Sequence, residues 1–229
     1  MSGYIHLNST TNNYSSNSWT VLTDIERRIK EKIEKVGTPL KDWDIQINYG
    51  IKTGFNEAFI IDGSKRKELI EKHSKSEEII RPILRGRDIK RYNYDFADLW
   101  LINTHNGTTN IPQVNIDDFP AIKEHLNQYY EQLVKRQDKG NTPYNLRSCA
   151  YIEDFSKEKI IFQEMVQEPS FVFDNTKSLF CLDTGRIITG KNLKYLLSIL
   201  NSKLFFFAII SNMLLIMKFC FCISIFPPK

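Results

Sequence analysis

Apolar residues settle into helical spacing soon after a polar opening. In ERRIKEKIEKV, Ile25, Ile29, Ile33 and Val36 fall three or four apart. Thr23-Asp24 supplies an N-cap, and Gly37 with Pro39 a stop, so the spacing predicts one helix there. The period then changes. In WDIQINYG, Trp43, Ile45, Ile47 and Tyr49 alternate with polar positions, which predicts a strand. AFIID (58–62) predicts a second short strand, and Ser64 is placed to cap a helix through KRKELIEKH. ADLWLINT (97–104) reads as a buried strand. Residues 117–138 read as one helix, acidic at its start and basic at its end, with Ile122, Leu126, Tyr129 or Tyr130, and Leu133 as its apolar stripe. KIIFQEMV (159–166) and SFVFD (170–174) are β-rich. LFCLDTGRIITG (179–190) predicts a hairpin turning at Asp183-Thr184-Gly185, and Asn192 or Lys191 opens a last helix, NLKYLLSILNSKL. Helices and strands mix without a βαβα rhythm. The expected fold class is α+β, with mixed helices and mainly antiparallel strands.

The two ends differ from the middle. Residues 1–18 are expected to be a disordered polar leader, 19–204 a folded domain, and 205–229 an atypical apolar tail. Leu204 to Phe226 is long enough for a bilayer, but Ser211-Asn212 and Lys218 interrupt it and a soluble-looking domain precedes it. These features argue against a membrane span. The N-terminus has neither a basic n-region nor an apolar h-region, so no secretory signal is read there. Four scattered cysteines (Cys149, Cys181, Cys220, Cys222) give no disulfide framework and no zinc-ligand spacing. Reduced thiols and a cytoplasmic location are expected.

Composition changes little until charge is located. The chain has 229 residues, 41% hydrophobic and 25% charged, with a formal net charge of +4. RPILRGRDIKRY (81–92) concentrates Arg81, Arg85, Arg87, Lys90 and Arg91 around Asp88, a local surplus equal to that of the whole chain. Arginine forks match phosphate or a guanine edge, and Gly86, Tyr92 and Tyr94 suit a nucleic-acid contact. A solvated loop in which Asp88 neutralises its neighbours is the alternative. KRQDKGNTPYNLR (135–147) adds Lys135, Arg136, Lys139 and Arg147 against Asp138 in a turn-rich segment, although bases also suit a helix C-terminus. In YGIKTGFNEAF, Gly50 and Gly54 flank Lys52-Thr53, with Asn56 beyond. These residues suit close approach to a phosphate or a plain turn between strands, and lack the full phosphate-loop pattern.

No catalytic constellation emerges. Asn141-Thr142-Pro143-Tyr144 departs from the Asn-Pro-Pro-Tyr motif of amino methyltransferases at its second position. Asp62 and Asp88 are too loosely spaced for a metal-dependent nuclease pair, and His6, His73, His105 and His125 show no ligand spacing. No catalytic residue and no metal site are expected.

LKDWDIQINYGIKTGFNEAFIID, IIRPILRGRDIKRYNYDFADLWLINTHNG and GNTPYNLRSCAYIEDFSKEKIIFQEM occur here in an order that resembles one family. It is the TaqI-like C-terminal specificity domain, the target-recognition part of restriction-modification adenine methyltransferases, including fused type IIG enzymes. The resemblance runs from about Trp19 to Leu204. It implies sequence-specific binding of duplex DNA; the matching motifs hold Lys52, Thr53, Asn56, Arg85, Arg87, Arg91 and Arg147, the basic stretches add Lys90, Lys135, Arg136 and Lys139 as candidate contacts, and Gly50, Gly54 and Gly86 are expected to be structural glycines. It also implies that S-adenosylmethionine belongs to a catalytic domain missing from these residues, or to a partner, and that this chain holds no cofactor. The alternative is a specificity subunit acting only with a separate methyltransferase or nuclease chain; a self-sufficient nuclease comes third. The apolar end departs from the family's more polar continuation, as a truncated or frame-shifted gene would.

Overall fold

The computed structural model describes residues 11–15, 18–164, 168–210 and 224–225. They divide into two compact units, one formed by the chain's two ends with residues 165–169, the other by residues 46–164 and 170–189.

In the first unit, strands β1 (Thr11–Ser15) and β2 (Ser18–Leu22) pair antiparallel, and helix α1 (Asp24–Val36) follows. Thr23 and Glu26 close a reciprocal capping box, with the Thr23 amide 2.7 Å from the Glu26 carboxylate. The apolar stripe of α1 is not buried: Ile25, Ile29 and Val36 are exposed. A short strand, β3 (Thr38–Pro39), precedes the chain's entry into β4 (Ile45–Tyr49). At the other end of the chain, Asn192 precedes α6 (Leu193–Leu200), whose Leu193, Leu196 and Leu200 are buried, and α7 (Lys203–Ile210) follows. Trp43 stacks on Tyr195 in this unit. Of the residues assigned to an apolar tail, 211–223 and 226–229 lie outside the described residues. Among the described residues no helix is long and apolar enough to cross a membrane.

The second unit holds two four-stranded sheets. One has the order β10-β6-β7-β5, from β5 (Ile60–Asp62), β6 (Ile80–Leu84), β7 (Leu99–Ile102) and β10 (Phe180–Cys181). The other has the order β4-β11-β8-β9, from β4, β8 (Lys159–Gln163), β9 (Phe171–Asp174) and β11 (Gly185–Gly190). β5 and β6 each pair antiparallel with β7, as do β9 and β11 with β8, and β10 runs parallel to β6. Helices α2 (Asn56–Phe59), α3 (Gly63–Lys72), α4 (Pro120–Asn127) and α5 (Tyr130–Lys135) complete an α+β domain. Its core joins Phe59, Leu69, Ile83, Leu101, Ile122, Leu126 and Phe155.

The structure departs from the sequence pattern at several points: Ala58 and Phe59 of the expected 58–62 strand belong to α2, and the expected last helix breaks between α6 and α7. Asp62, not Ser64, caps α3, accepting from the Lys65 amide at 2.7 Å; Asp62 sits where the strand ends, so its carboxylate meets the first free amides. The helix expected over 117–138 breaks after Asn127, because Gln128 and Tyr129 bond to carbonyls three residues back. That break turns Tyr129 onto the Phe55 and His125 rings. Residues 180–190 do not pair with each other as a hairpin. The turn closes through Gly185 N to Leu182 O at 2.8 Å, but its arms enter different sheets, since Leu182 N is bound to Leu84 O in the first sheet.

Candidate nucleic-acid interface

The 182–185 turn is where two of the basic segments meet. Gly50 lies so close to it that an added Cβ would sit 1.9 Å from Leu182 O, and Gly50 N donates to Gly185 O at 2.9 Å. On the other side, Gly86 N donates to Thr184 Oγ1 at 3.3 Å, and a Cβ there would press on Gln163 at 3.0 Å. Gly50 is therefore required by close approach of backbone, while at Gly86 a side chain would crowd Gln163 and Thr184, whose side chains would have to give. Thr184 is separated from Gly86 by 98 positions, and no local pattern singles it out.

The 81–92 stretch is built around Asp88. Arg85 Nε and Nη2 donate to its two oxygens at 2.9 and 2.8 Å, and the Arg85 amide donates as well. Asp88 is buried. Burial works to raise its carboxyl, but the Arg85 side-chain and backbone hydrogen bonds outweigh it and hold the group below the usual carboxylate range. Arg85 is thus committed to folding the loop. Arg81 likewise spends its fork on the carbonyls of Glu77, Glu78 and Ile80. The remaining cations, Arg87, Lys90 and Arg91, are exposed.

Arg87 stands on the 3-10 turn Gly86–Asp88, and Lys90 and Arg91 on a tight hairpin that follows it: Ile89 bridges Tyr94, Lys90 N donates to Asn93 O at 2.8 Å, and Arg91-Tyr92 form the tip. Tyr92 takes a left-handed φ of 64°, is 52% exposed, and is anchored by its amide to Phe171 O at 2.9 Å. The Arg91 guanidinium lies 5.5 Å from its ring centre.

Arg136 knits the first and third segments together. Its guanidinium donates to the carbonyls of Thr53, Asp138, Pro143 and Asn145. It is buried, and burial lowers its pKa to about 10, leaving it cationic at neutral pH. Arg136 therefore organises loops and presents no free fork. Thr53 is buried too, its hydroxyl donating to Asn56 Oδ1 at 2.5 Å. Gly54 adopts φ 70° against Asp138, a backbone state that disfavours a side chain. Lys135 and Lys139 are exposed, and the Lys139 ammonium reaches back to Val134 O.

Asp138, which the sequence pattern counts only as an offset to the cations, proves central. One oxygen lies 2.9 Å from Lys52 Nζ and the other 3.4 Å from Arg147 Nη1. The carboxylate holds two exposed cations in one place, and Lys52 foremost keeps its pKa below the usual range.

Lys52 and Arg147 border an open cleft of about 600 Å³. Tyr49, Tyr151, Asn103 and His105 also line it. Arg186 lies over the Tyr49 ring at 3.8 Å and fixes it, while Tyr49 stays 56% exposed. Burial, then the Arg81 charge, lowers the pKa of His105; its Nδ1 accepts from Gly107 N at 3.2 Å, so the neutral ring carries its proton on Nε2. Cys149 also lines the cleft, but burial pushes its thiol up to about 11, too high for a nucleophile at neutral pH.

The Asn141–Tyr144 segment spends its polar groups internally. Asn141 Nδ2 donates to Gln113 Oε1 at 3.1 Å, and Tyr144 Oη to Asn127 Oδ1 at 2.6 Å. Among the described residues, no group of three or more metal-ligating side chains is present.

The chain belongs to the TaqI-like C-terminal specificity domain family, whose model matches residues 81–218. The Type II methyltransferase M.BstVI of Geobacillus stearothermophilus is 24% identical over 184 residues, covering 78% of this chain and 30% of that protein. The type IIL restriction-modification enzyme MmeI, solved in complex with DNA, shares the fold at a TM-score of 0.51 and 12% identity, over 85% of this chain and 26% of MmeI. The type IIG restriction endonuclease BpuSI does so at 0.51 and 18%, over 82% and 23%. The chain thus spans about a third or less of the length of these relatives.

Proposed function

We propose that this chain is the target-recognition domain of a type IIG-like restriction-modification adenine methyltransferase and binds duplex DNA sequence-specifically. The reading rests above all on Arg87, Lys90 and Arg91, three exposed cations on a turn and the hairpin that follows it, braced by the Arg85 clamp on the buried Asp88 carboxylate. Exposed cations on a rigid mount neutralise phosphates and reach groove edges without the entropy loss of ordering a loop on contact. Lys52 and Arg147 form a second pair, held ready by Asp138. Methyl transfer from S-adenosylmethionine is assigned to a catalytic domain or partner chain; methyl transfer by this chain alone would contradict that assignment.

Alanine at Arg87 or Arg91 is expected to weaken duplex binding by roughly 1 kcal/mol or more each, with the unfolding midpoint unchanged. Arg85→Ala should instead lower stability and binding together, because it unclamps Asp88. Fluorescence anisotropy alongside urea denaturation distinguishes the two; unchanged affinity at both Arg87 and Arg91 would remove the hairpin from the interface. Asp138→Asn is expected to tighten binding several-fold, as it frees Lys52 and Arg147 for phosphate. Weaker binding with unchanged stability would show that the carboxylate's positioning role outweighs its competition.

A further inference from the structure

The cleft beside Lys52 and Arg147 contains a feature that phosphate binding by an exposed surface leaves unexplained. Asn103 lines it, is only 7% exposed, and its Oδ1, enclosed by protein, has no hydrogen-bond partner, so a ligand reaches that oxygen only as the carboxamide turns outward. Its position is fixed from the backbone, where its amide donates to Ile79 O at 2.7 Å. A carboxamide offers one acceptor and two donors, the complement of a nucleobase edge. Around it the cleft supplies the other parts a nucleotide needs. Tyr49 is a held, half-open ring of the kind on which bases stack. His105 supplies an Nε2–H donor. Lys52 and Arg147 converge on the two oxygens of Asp138, so a phosphate bound between them takes over the place of that carboxylate. A volume of about 600 Å³ has room for one nucleotide.

We infer that this cleft is a binding site for a single nucleotide, with its phosphate between Lys52 and Arg147, its base against Tyr49, and the base edge on Asn103. The inference deepens the DNA-binding reading and rests on it: the nucleotide is one displaced from a duplex held by the basic hairpin. A nucleotide shut inside a paired helix cannot enter, so the site selects DNA whose base is already extrahelical or easily unstacked.

The full chain is titrated with dAMP, dCMP and inorganic phosphate while side-chain amide resonances are followed by NMR. In parallel, its affinity is compared for a fully paired duplex and for the same duplex carrying a one-nucleotide bulge. Both nucleotides are expected to shift the Asn103 side-chain amide and phosphate alone is not, while the bulged duplex binds at least five-fold tighter. Tyr49→Ala, at an exposed position, should cut that preference below two-fold; Asn103→Leu should do the same if it folds. Nucleotide shifts without a bulge preference support the site but assign it to free nucleotides. No shift and no preference overturn the inference, while retained salt-dependent binding of the paired duplex leaves the DNA-binding reading standing. Loss of all duplex binding by the unaltered chain sinks that reading instead, and the free-nucleotide titration then decides the site.

Discussion

Asp174→Ala is expected to destabilise the protein by about 3–5 kcal/mol, the largest loss among the substitutions considered. Asp174 and Lys159 face each other at 2.6 Å with both side chains fully buried. Lys159 also donates to Phe155 O at 2.6 Å, while Asp174 accepts from the amides of Thr176 and Leu179. Burial lowers the Lys159 pKa and the Asp174 hydrogen bond opposes that. Removing the acid leaves a lysine with an uncompensated charge in the interior and two amides without an acceptor. The pair need not be a source of net stability, because taking two charges out of water offsets most of their attraction. A Lys159→Met, Asp174→Leu double variant should therefore recover part of the loss. Urea midpoints at constant m-value measure both effects. A single-variant loss below about 1 kcal/mol would mean that the pair is hydrated.

Arg136→Ala is expected to cost roughly 3 kcal/mol and to reduce DNA affinity as a consequence of unfolding its loops. Four carbonyls from two chain segments converge on this guanidinium, and water cannot replace a fork of fixed geometry inside a buried site. Arg136→Lys keeps the charge but not the fork and should recover little. Lys135→Ala and Lys139→Ala, at exposed positions, should leave stability within about 0.5 kcal/mol. Differential scanning fluorimetry on the four variants checks the pattern. An Arg136→Ala protein of unaltered stability that had lost DNA binding would return this residue to the interface.

Arg136 also shows what a sequence can and cannot reveal. It stands in a run with Lys135 and Lys139, and its type and spacing fit a phosphate contact as well as theirs do. Burial separates them, and burial follows from carbonyls as far away as Thr53. The same holds for Arg85, whose fork closes on Asp88 three residues on; there the alternative of internal neutralisation was legible because both partners are local. Period-3.6 and period-2 patterns located α1, β4, β7, β8 and β9, since each is governed by its own residues. The 180–190 segment has the turn its Asp-Thr-Gly implies, but strand pairing is set by distant neighbours, and β6 captures one arm. Asn103, Thr184 and Asp138 carry no signal in their surroundings. Thr184 meets Gly86 across 98 positions, and Asp138 joins Lys52 of the first segment to Arg147 of its own.

The central claim, duplex DNA binding through exposed cations, is tested most directly by the affinity of the full chain for a mixed-sequence duplex between 50 and 200 mM salt, read by fluorescence anisotropy. Each phosphate neutralised contributes about −0.9 to the slope of log K against log salt. With Lys52, Arg87, Lys90, Arg91 and Arg147 engaged, the account predicts a slope near −4 to −5, made shallower by about one unit in Arg87→Ala. Binding that is absent at 50 mM salt, or whose affinity does not change across the range, would contradict it.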